Sequence, residues 1–163
     1  MKIRLAQVQD SSAIQQLIAA LSANFFIYPD QREAEPFLAS VSLAAVQGYL
    51  ADPRYRYWLA EDAAGQVVGF IAVRDQTHLF HLFVADSHQR QGLASQLWQI
   101  ALDYLLESSA TTALTVNASL NAVEVYQRWG FQASATIQSM HGIRFLPMSR
   151  ERNRSSAKAQ DSL

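Results

Sequence analysis

Leu82-Phe83-Val84-Ala85-Asp86-Ser87-His88-Gln89-Arg90-Gln91-Gly92-Leu93-Ala94-Ser95-Gln96-Leu97-Trp98 is the stretch on which the fold turns. It starts as an apolar run, crosses a short polar turn and opens a helical pattern at Gly92. Physically, a strand delivers a glycine-bearing loop to the start of a helix. The first four N–H groups of a helix have no partner within it, and the helix dipole adds about half a positive charge there. Such an end holds anions, phosphate above all. Gly92 lets a ligand approach the backbone, Ala94 and Ser95 stay small, and Arg90 offers charge-assisted contacts to phosphate oxygens.

Working outward, the chain of 163 residues is 50% hydrophobic, enough for the core of one domain. A net charge of -1 with no basic run gives no reason to expect a nucleic-acid partner. The absence of cysteine excludes disulfides, thiolate metal sites and a cysteine nucleophile, and no metal is expected. The amino terminus enters a strand pattern without a signal-peptide core, and no apolar run nears the roughly 18 residues of a membrane span. A cytoplasmic protein with no membrane partner is therefore the default expectation.

In chain order, Ile3 to Val8 reads as a strand, and Asp10 as the cap of a helix carrying Ile14, Leu17, Ile18 and Leu21. The segment from Asn24 to Ser40 reads as an irregular loop. Its Phe25, Phe26, Tyr28 and Phe37 either tuck under the domain or line an acceptor pocket. A short helix spans Leu43 to Leu50. Strands Arg56 to Glu61, Val67 to Arg74 and His78 to Ala85 follow as an antiparallel meander, turning at Gly65 and at Asp75-Gln76. The helix from Gly92 extends to about Ser108. Thr112 to Asn117 is a strand, and Ser119 caps a helix running to Trp129, ended by Gly130. Phe131 to Gln138 and Ile143 to Met148 form a closing strand pair. One domain is expected over 1–149, and the polar tail 150–163 reads as disordered.

There is no GxxxxGK[ST] phosphate loop and no GxGxxG. What stands instead is Gln89-x-x-Gly92-x-Ala94, which resembles the Q/R-x-x-G-x-G/A signature of the Gcn5-related N-acetyltransferase (GNAT) family. A second segment, Thr115-Val116-Asn117-Ala118-Ser119-Leu120-Asn121-Ala122-Val123-Glu124-Val125-Tyr126-Gln127-Arg128-Trp129-Gly130-Phe131, resembles the family's strand and helix ending in A-x-x-x-Y-x-x-x-G-F. With both anchors in order, the resemblance covers residues 1–149. It implies an α/β (α+β) fold: a mixed, mostly antiparallel seven-stranded sheet with about four helices, in which strands four and five splay apart.

The resemblance also implies a function. Acetyl-CoA would be the co-substrate, its pantetheine arm lying in the splay against the backbone of Leu82, Phe83 and Val84 as an added strand. Its pyrophosphate would rest on the amides of Gln89, Arg90, Gln91, Gly92, Leu93, Ala94 and Ser95. Relatives often have asparagine where this chain has Ser119, so Asn117, Ser119 or Asn121 would supply the polar contact from the opposite wall. The acceptor would be a primary amine of a small molecule or protein, attacking directly in a ternary complex. Tyr126 occupies the family's tyrosine position, implying an acid that reprotonates the departing thiolate. An amine attacks only when neutral, and a lysine-like amine has a pKa near about 10.4, so a base is needed as well.

His78 corresponds to a position where some relatives carry a catalytic glutamate or histidine. His81, or a water chain ending on Glu61 or Asp75, are the alternatives. Strand alternation places His78 with Phe80, Leu82 and Val84, and His81 with Leu79 and Phe83. His88 lies in the phosphate loop, and a homodimer through the closing strands fits the fold. The competing reading is an acyl-CoA-binding module that keeps the cleft but transfers nothing.

Overall fold

The computed structural model describes residues 1–153, and its centre is the meander. β-branched and aromatic residues fill β2 (Tyr55–Glu61), β3 (Val67–Arg74) and β4 (His78–Val84), which pair antiparallel. The second turn holds Asp75 and Gln76 at φ 54° and 55°, the left-handed pair that a two-residue hairpin demands. β1 (Lys2–Leu5) pairs with β2 and stops earlier than the expected Val8. Asp10 explains why. Its carboxylate accepts the Gln7 N–H at 2.7 Å and pairs with Arg4 at 2.9 Å, folding Val8–Asp10 into a 3-10 turn. The side chain is thus spent on Arg4 and does not cap α1 (Ser11–Leu21).

The faces of β4 are set by a bulge. Ala72 pairs with His81 while the next residue, Val73, pairs with Leu79, so Phe80 is an extra residue with no partner on β3. Past a bulge the two-residue period restarts on the other face. Leu79, Leu82 and Val84 therefore pack toward α4 (Leu93–Leu105), whereas Phe80 and Phe83 face α1 and α3 (Leu43–Ala51). His81 stacks on Phe80 at 4.0 Å and meets Phe83 at 5.7 Å, on that second face. The plain alternation expected for this strand is corrected accordingly.

From β4 the sheet continues by a parallel step to β5 (Leu114–Ala118), then antiparallel to β8 (Ile143–Arg150). β6 (Gln132–Ala133) and β7 (Gln138–Met140) both pair with β8, so the sheet has eight strands rather than seven. One expected strand has split. Pro147 accepts the Ser134 N–H at 2.9 Å but has no N–H to return on that side, and the ladder breaks there. Among the described residues five α-helices stand where about four were expected. The extra one is α2 (Glu35–Ser40), inside the segment read as loop, with Pro36 in its first turn. α5 (Val123–Arg128) starts later than expected: Leu120–Ala122 is a 3-10 turn, and the Ser119 hydroxyl donates to Asn121 Oδ1 at 2.8 Å instead of capping.

Helix α1 and α3 bury Ile14, Ile18 and Val46 against one face of the sheet, and α4 buries Leu97, Ala101 and Leu105 against the other. Among the described residues no helix is long and apolar enough to cross a membrane. Contacts with the rest of the fold continue at residues 150 and 152. Arg150 is buried and donates to the Trp129 carbonyl at 3.0 Å. Arg152 donates to the carbonyls of Gln76, Leu105 and Thr112 at 2.9, 2.7 and 3.1 Å, and to Thr77 Oγ1 at 2.9 Å. Of the tail expected over 150–163, residues 154–163 lie outside the described residues.

The segment after α1 is fastened to the β7–β8 turn. Phe26 forms a bridge with Ile143, and the Ile27 N–H donates to the Gly142 carbonyl at 2.9 Å. Gly142 sits at φ 77°, and a Cβ there would stand 2.6 Å from Ala34 Cα. Gly142→Ala is therefore expected to cost at least about 2 kcal/mol from the left-handed backbone and the collision together. Equilibrium urea unfolding measures it, and a variant as stable as the parent would refute the fastening.

Candidate active site

The loop after β4 is built to leave its amides open. Gln89 Nε2 donates to the Val84 carbonyl at 2.9 Å and to Asp86 Oδ1 at 3.1 Å, bracing the turn. Arg90 at φ 60° and Gly92 at φ 81° are both left-handed. Alternation of this kind curls successive N–H groups into an anion-binding concavity. The Gly92 position at the N-cap supplies no side-chain cap, and the first bond of α4 is Gln96 N–H to the Gly92 carbonyl at 3.1 Å. The amides of Leu93, Ala94 and Ser95 thus face outward at the positive end of the helix.

Beside this concavity the sheet parts. β4 and β5 pair only at His78 with Thr115 and Leu79 with Val116, and diverge beyond. The opening is a cleft of about 770 Å³. One wall is Leu82, Phe83 and Val84, followed by Gln89, Arg90 and Gly92 to Ser95. The opposite wall includes Ser119, Asn121 and Tyr126. Two expected members are elsewhere. Asn117 does not line the cleft: its neighbours Val116 and Ala118 point into the α4-side core, so alternation sends Asn117 to the other face. Gln91 also lies outside the lining, its side chain donating to the Ser87 carbonyl at 3.2 Å.

Sequence reasoning missed part of the lining. Ala122, Val125, Tyr126 and Trp129 line it together, at the spacing of one helix face, a signal legible once Tyr126 was placed. Arg128 joins Arg90 as a second cation on the cleft. Leu21, Asn24 and Phe25 line its far side, and no motif marks them. Phe25 packs on Phe83 at 5.7 Å and on Phe37 at 6.1 Å, so it is both packed in the domain and present at the cleft.

Tyr126 is 6% exposed, wedged edge-on against Trp129 and Phe131, and it faces the cleft. Burial pushes its phenol well above the usual value, so it stays protonated across the neutral range. His78 stands at the closed end of the splay, outside the cleft lining, with Nδ1 2.8 Å from Thr115 Oγ1. Glu61 pairs with Arg4 at 2.7 Å and Asp75 with Arg54 at 2.8 Å, both away from the cleft lining. His88 lines the cleft, its Nδ1 2.8 Å from Ser87 Oγ.

Burial pushes His78 down to about 4 and His81 to about 3. Both bind protons more tightly in the unfolded chain, so stability is full above about pH 6.5 and is lost as pH falls through the lower values. Each histidine contributes a slope of up to about 1.4 kcal/mol per pH unit in that window. Denaturant midpoints that stay flat from pH 6.5 to 4 would contradict this burial.

A family model for the acetyltransferase (GNAT) domain matches residues 25–152. The N-acetyltransferase family 8 member 2 of Rattus norvegicus is 36% identical over 87 residues, which is 47% of this chain and 38% of the relative. The chain spans about half or less of the length of the curated relatives it matches. Among solved structures, the PaiA N-acetyltransferase of Thermoplasma acidophilum in complex with coenzyme A superposes with a TM-score of 0.73 at 13% identity, over 93% of this chain and 99% of that one. A GCN5-related N-acetyltransferase from Rhodopseudomonas palustris gives 0.72 at 22% identity, over 92% and 94%.

Proposed function

Because the chain belongs to the GNAT acetyltransferase family, we propose that it transfers an acetyl group from acetyl-CoA to a primary amine. One observation carries this reading: a concavity of outward amides opens onto a gap in the sheet that leads to the Tyr126 phenol. Diphosphate suits the concavity, with Arg90 and Arg128 nearby. The pantetheine amides suit the edge of β4 from Leu82 to Val84, which past Leu79 has no strand on its β5 side. Ser119 and Asn121 face that arm from the other wall.

Acetyl-CoA supplies the activated acyl carbon, and the residues of this chain do the rest. Backbone N–H groups of β4 steady the carbonyl oxygen as it gains charge. The neutral amine nitrogen forms the C–N bond and sheds its surplus proton to solvent, the C–S bond breaks, the thiolate takes the Tyr126 proton, and Tyr126 is reprotonated from solvent. Tyr126, held protonated by burial, supplies the proton that the departing sulfur needs. The Leu21, Asn24 and Phe25 side of the cleft carries no acidic residue, which favours an amine attached to an apolar body over a polycation.

Thiol release from acetyl-CoA, followed across a library of amines, tests the proposal. Turnover with at least one amine supports it. Tight coenzyme A binding with no release on any amine would favour the binding-module reading instead.

A further inference from the structure

Two strands that meet at one end only take their angle from what holds that end. β4 and β5 share two rungs, His78 with Thr115 and Leu79 with Val116. Two polar contacts reinforce them there: the Thr115 N–H donates to the Thr77 carbonyl at 3.0 Å, and His78 Nδ1 lies 2.8 Å from Thr115 Oγ1. Past Leu79 the strands part, and Val84 on the cleft wall stands about 15 Å further along β4. A tilt of about 10° at the joint therefore shifts that end by about 3 Å. Displacements of about 1 Å already spoil a reacting geometry. The helix α4 packs beneath both strands, but apolar packing has no direction and resists tilting weakly.

Arg152 ties this joint to its surroundings. Its Nε donates to the Thr112 carbonyl at 3.1 Å, Nη1 to the Gln76 and Leu105 carbonyls at 2.9 and 2.7 Å, and Nη2 to Thr77 Oγ1 at 2.9 Å. These acceptors belong to the turn into β4, the end of α4 and the approach to β5. One planar group sets the positions of all three, because the directions of its N–H bonds are fixed. Leu105 is the last residue of α4, where carbonyls lack helical partners and a cation is favoured. The neighbouring Tyr104 carbonyl is taken by the Gln76 side chain at 3.1 Å. A lysine in place of Arg152 would keep the charge there but lose the fan of directions. None of these residues lines the cleft.

We propose that Arg152 is a positioning residue of the transferase: it holds the angle between β4 and β5, and with it the width of the gap that receives the pantetheine arm. The inference rests on the acetyl-transfer reading above. The two halves of the donor respond differently to that angle. Its diphosphate meets amides of α4, a single element whose first turn keeps its shape when the strands tilt. Its arm lies between Leu82 to Val84 on one side and Ser119 and Asn121 on the other, so the arm alone spans both strands. His78, in contact with Thr115, belongs to the same joint and serves it structurally.

The test uses the full chain and two ligands in isothermal titration, coenzyme A and its nucleotide end alone, 3′-phospho-ADP. Arg152→Lys and Arg152→Gln are expected to weaken coenzyme A about 10-fold and leave 3′-phospho-ADP unchanged, with kcat at saturating acetyl-CoA lowered about 10-fold as well. Thr77→Val removes one of the four contacts and should give the same split on a smaller scale. Where an Arg152 variant melts below the assay temperature, Thr77→Val decides, and parental values for it then overturn the proposal. Arg152→Lys with parental affinity and kcat overturns it, since charge alone would suffice. Equal losses on both ligands overturn it too, because a loosened fold rather than a changed angle explains them. A parent protein that binds neither ligand overturns the transferase reading first, before any variant is made.

Discussion

Gly92→Asp is expected to weaken coenzyme A binding at least 100-fold while leaving the fold nearly as stable, about 2.8 kcal/mol of affinity. The glycine sits at φ 81°, with nothing within 4 Å of where a Cβ would be. Aspartate tolerates the left-handed region better than most residues, so the backbone cost should stay near 1 kcal/mol, or a few degrees of melting temperature. Its carboxylate, however, would stand in the space proposed for the diphosphate. Two like charges about 4 Å apart at a protein surface repel by about 4 kcal/mol, enough to account for the loss. Gly92→Ala separates the causes, since it carries the same backbone cost without the charge. Isothermal titration with coenzyme A measures both. An aspartate variant that binds like the parent would remove the diphosphate from this loop.

Tyr126→Phe is expected to reduce kcat by about 100-fold, the usual scale for a positioned proton donor, with coenzyme A affinity unchanged. The ring stays, so its edge contacts with Trp129 and Phe131 survive and stability should hold. The raised pKa adds a pH signature. The phenol is protonated throughout the neutral range, so the parent should lose no activity from this group as pH rises toward about 10. If the variant retains full kcat under saturating acetyl-CoA, the thiolate finds its proton elsewhere and Tyr126 is only part of the wall.

Much of this was legible in the chain. Gly92 at a left-handed N-cap, Gly130 closing α5 and the Asp75-Gln76 turn all follow from local backbone preferences, which a few neighbouring residues decide. The misreadings have a common origin in contacts between distant residues. Asp10 looks like a helix cap until Arg4, which also pairs with Glu61, claims it. His78-Leu79-Phe80-His81 alternates with no hint of a bulge, because the extra residue exists only relative to β3. That one slip of register separates Leu79 from His81 and Phe80 from Leu82. Asn117, Ser119 and Asn121 stood as alternatives for one contact, and of these Ser119 and Asn121 line the cleft. The break opposite Pro147 was readable in principle, since a residue without N–H cannot sustain a ladder, but only with its partner strand known.

The guanidinium of Arg152 gathers the turn before β4, the last residue of α4 and the approach to β5 at a single point. That point is the fulcrum of a wedge whose blades are β4 and β5 and whose mouth lies at the other end of the molecule. How wide the mouth stands is therefore governed from behind, by Arg152. Removing that pin would leave every group that touches a ligand in place on its own strand while letting the two blades drift in angle.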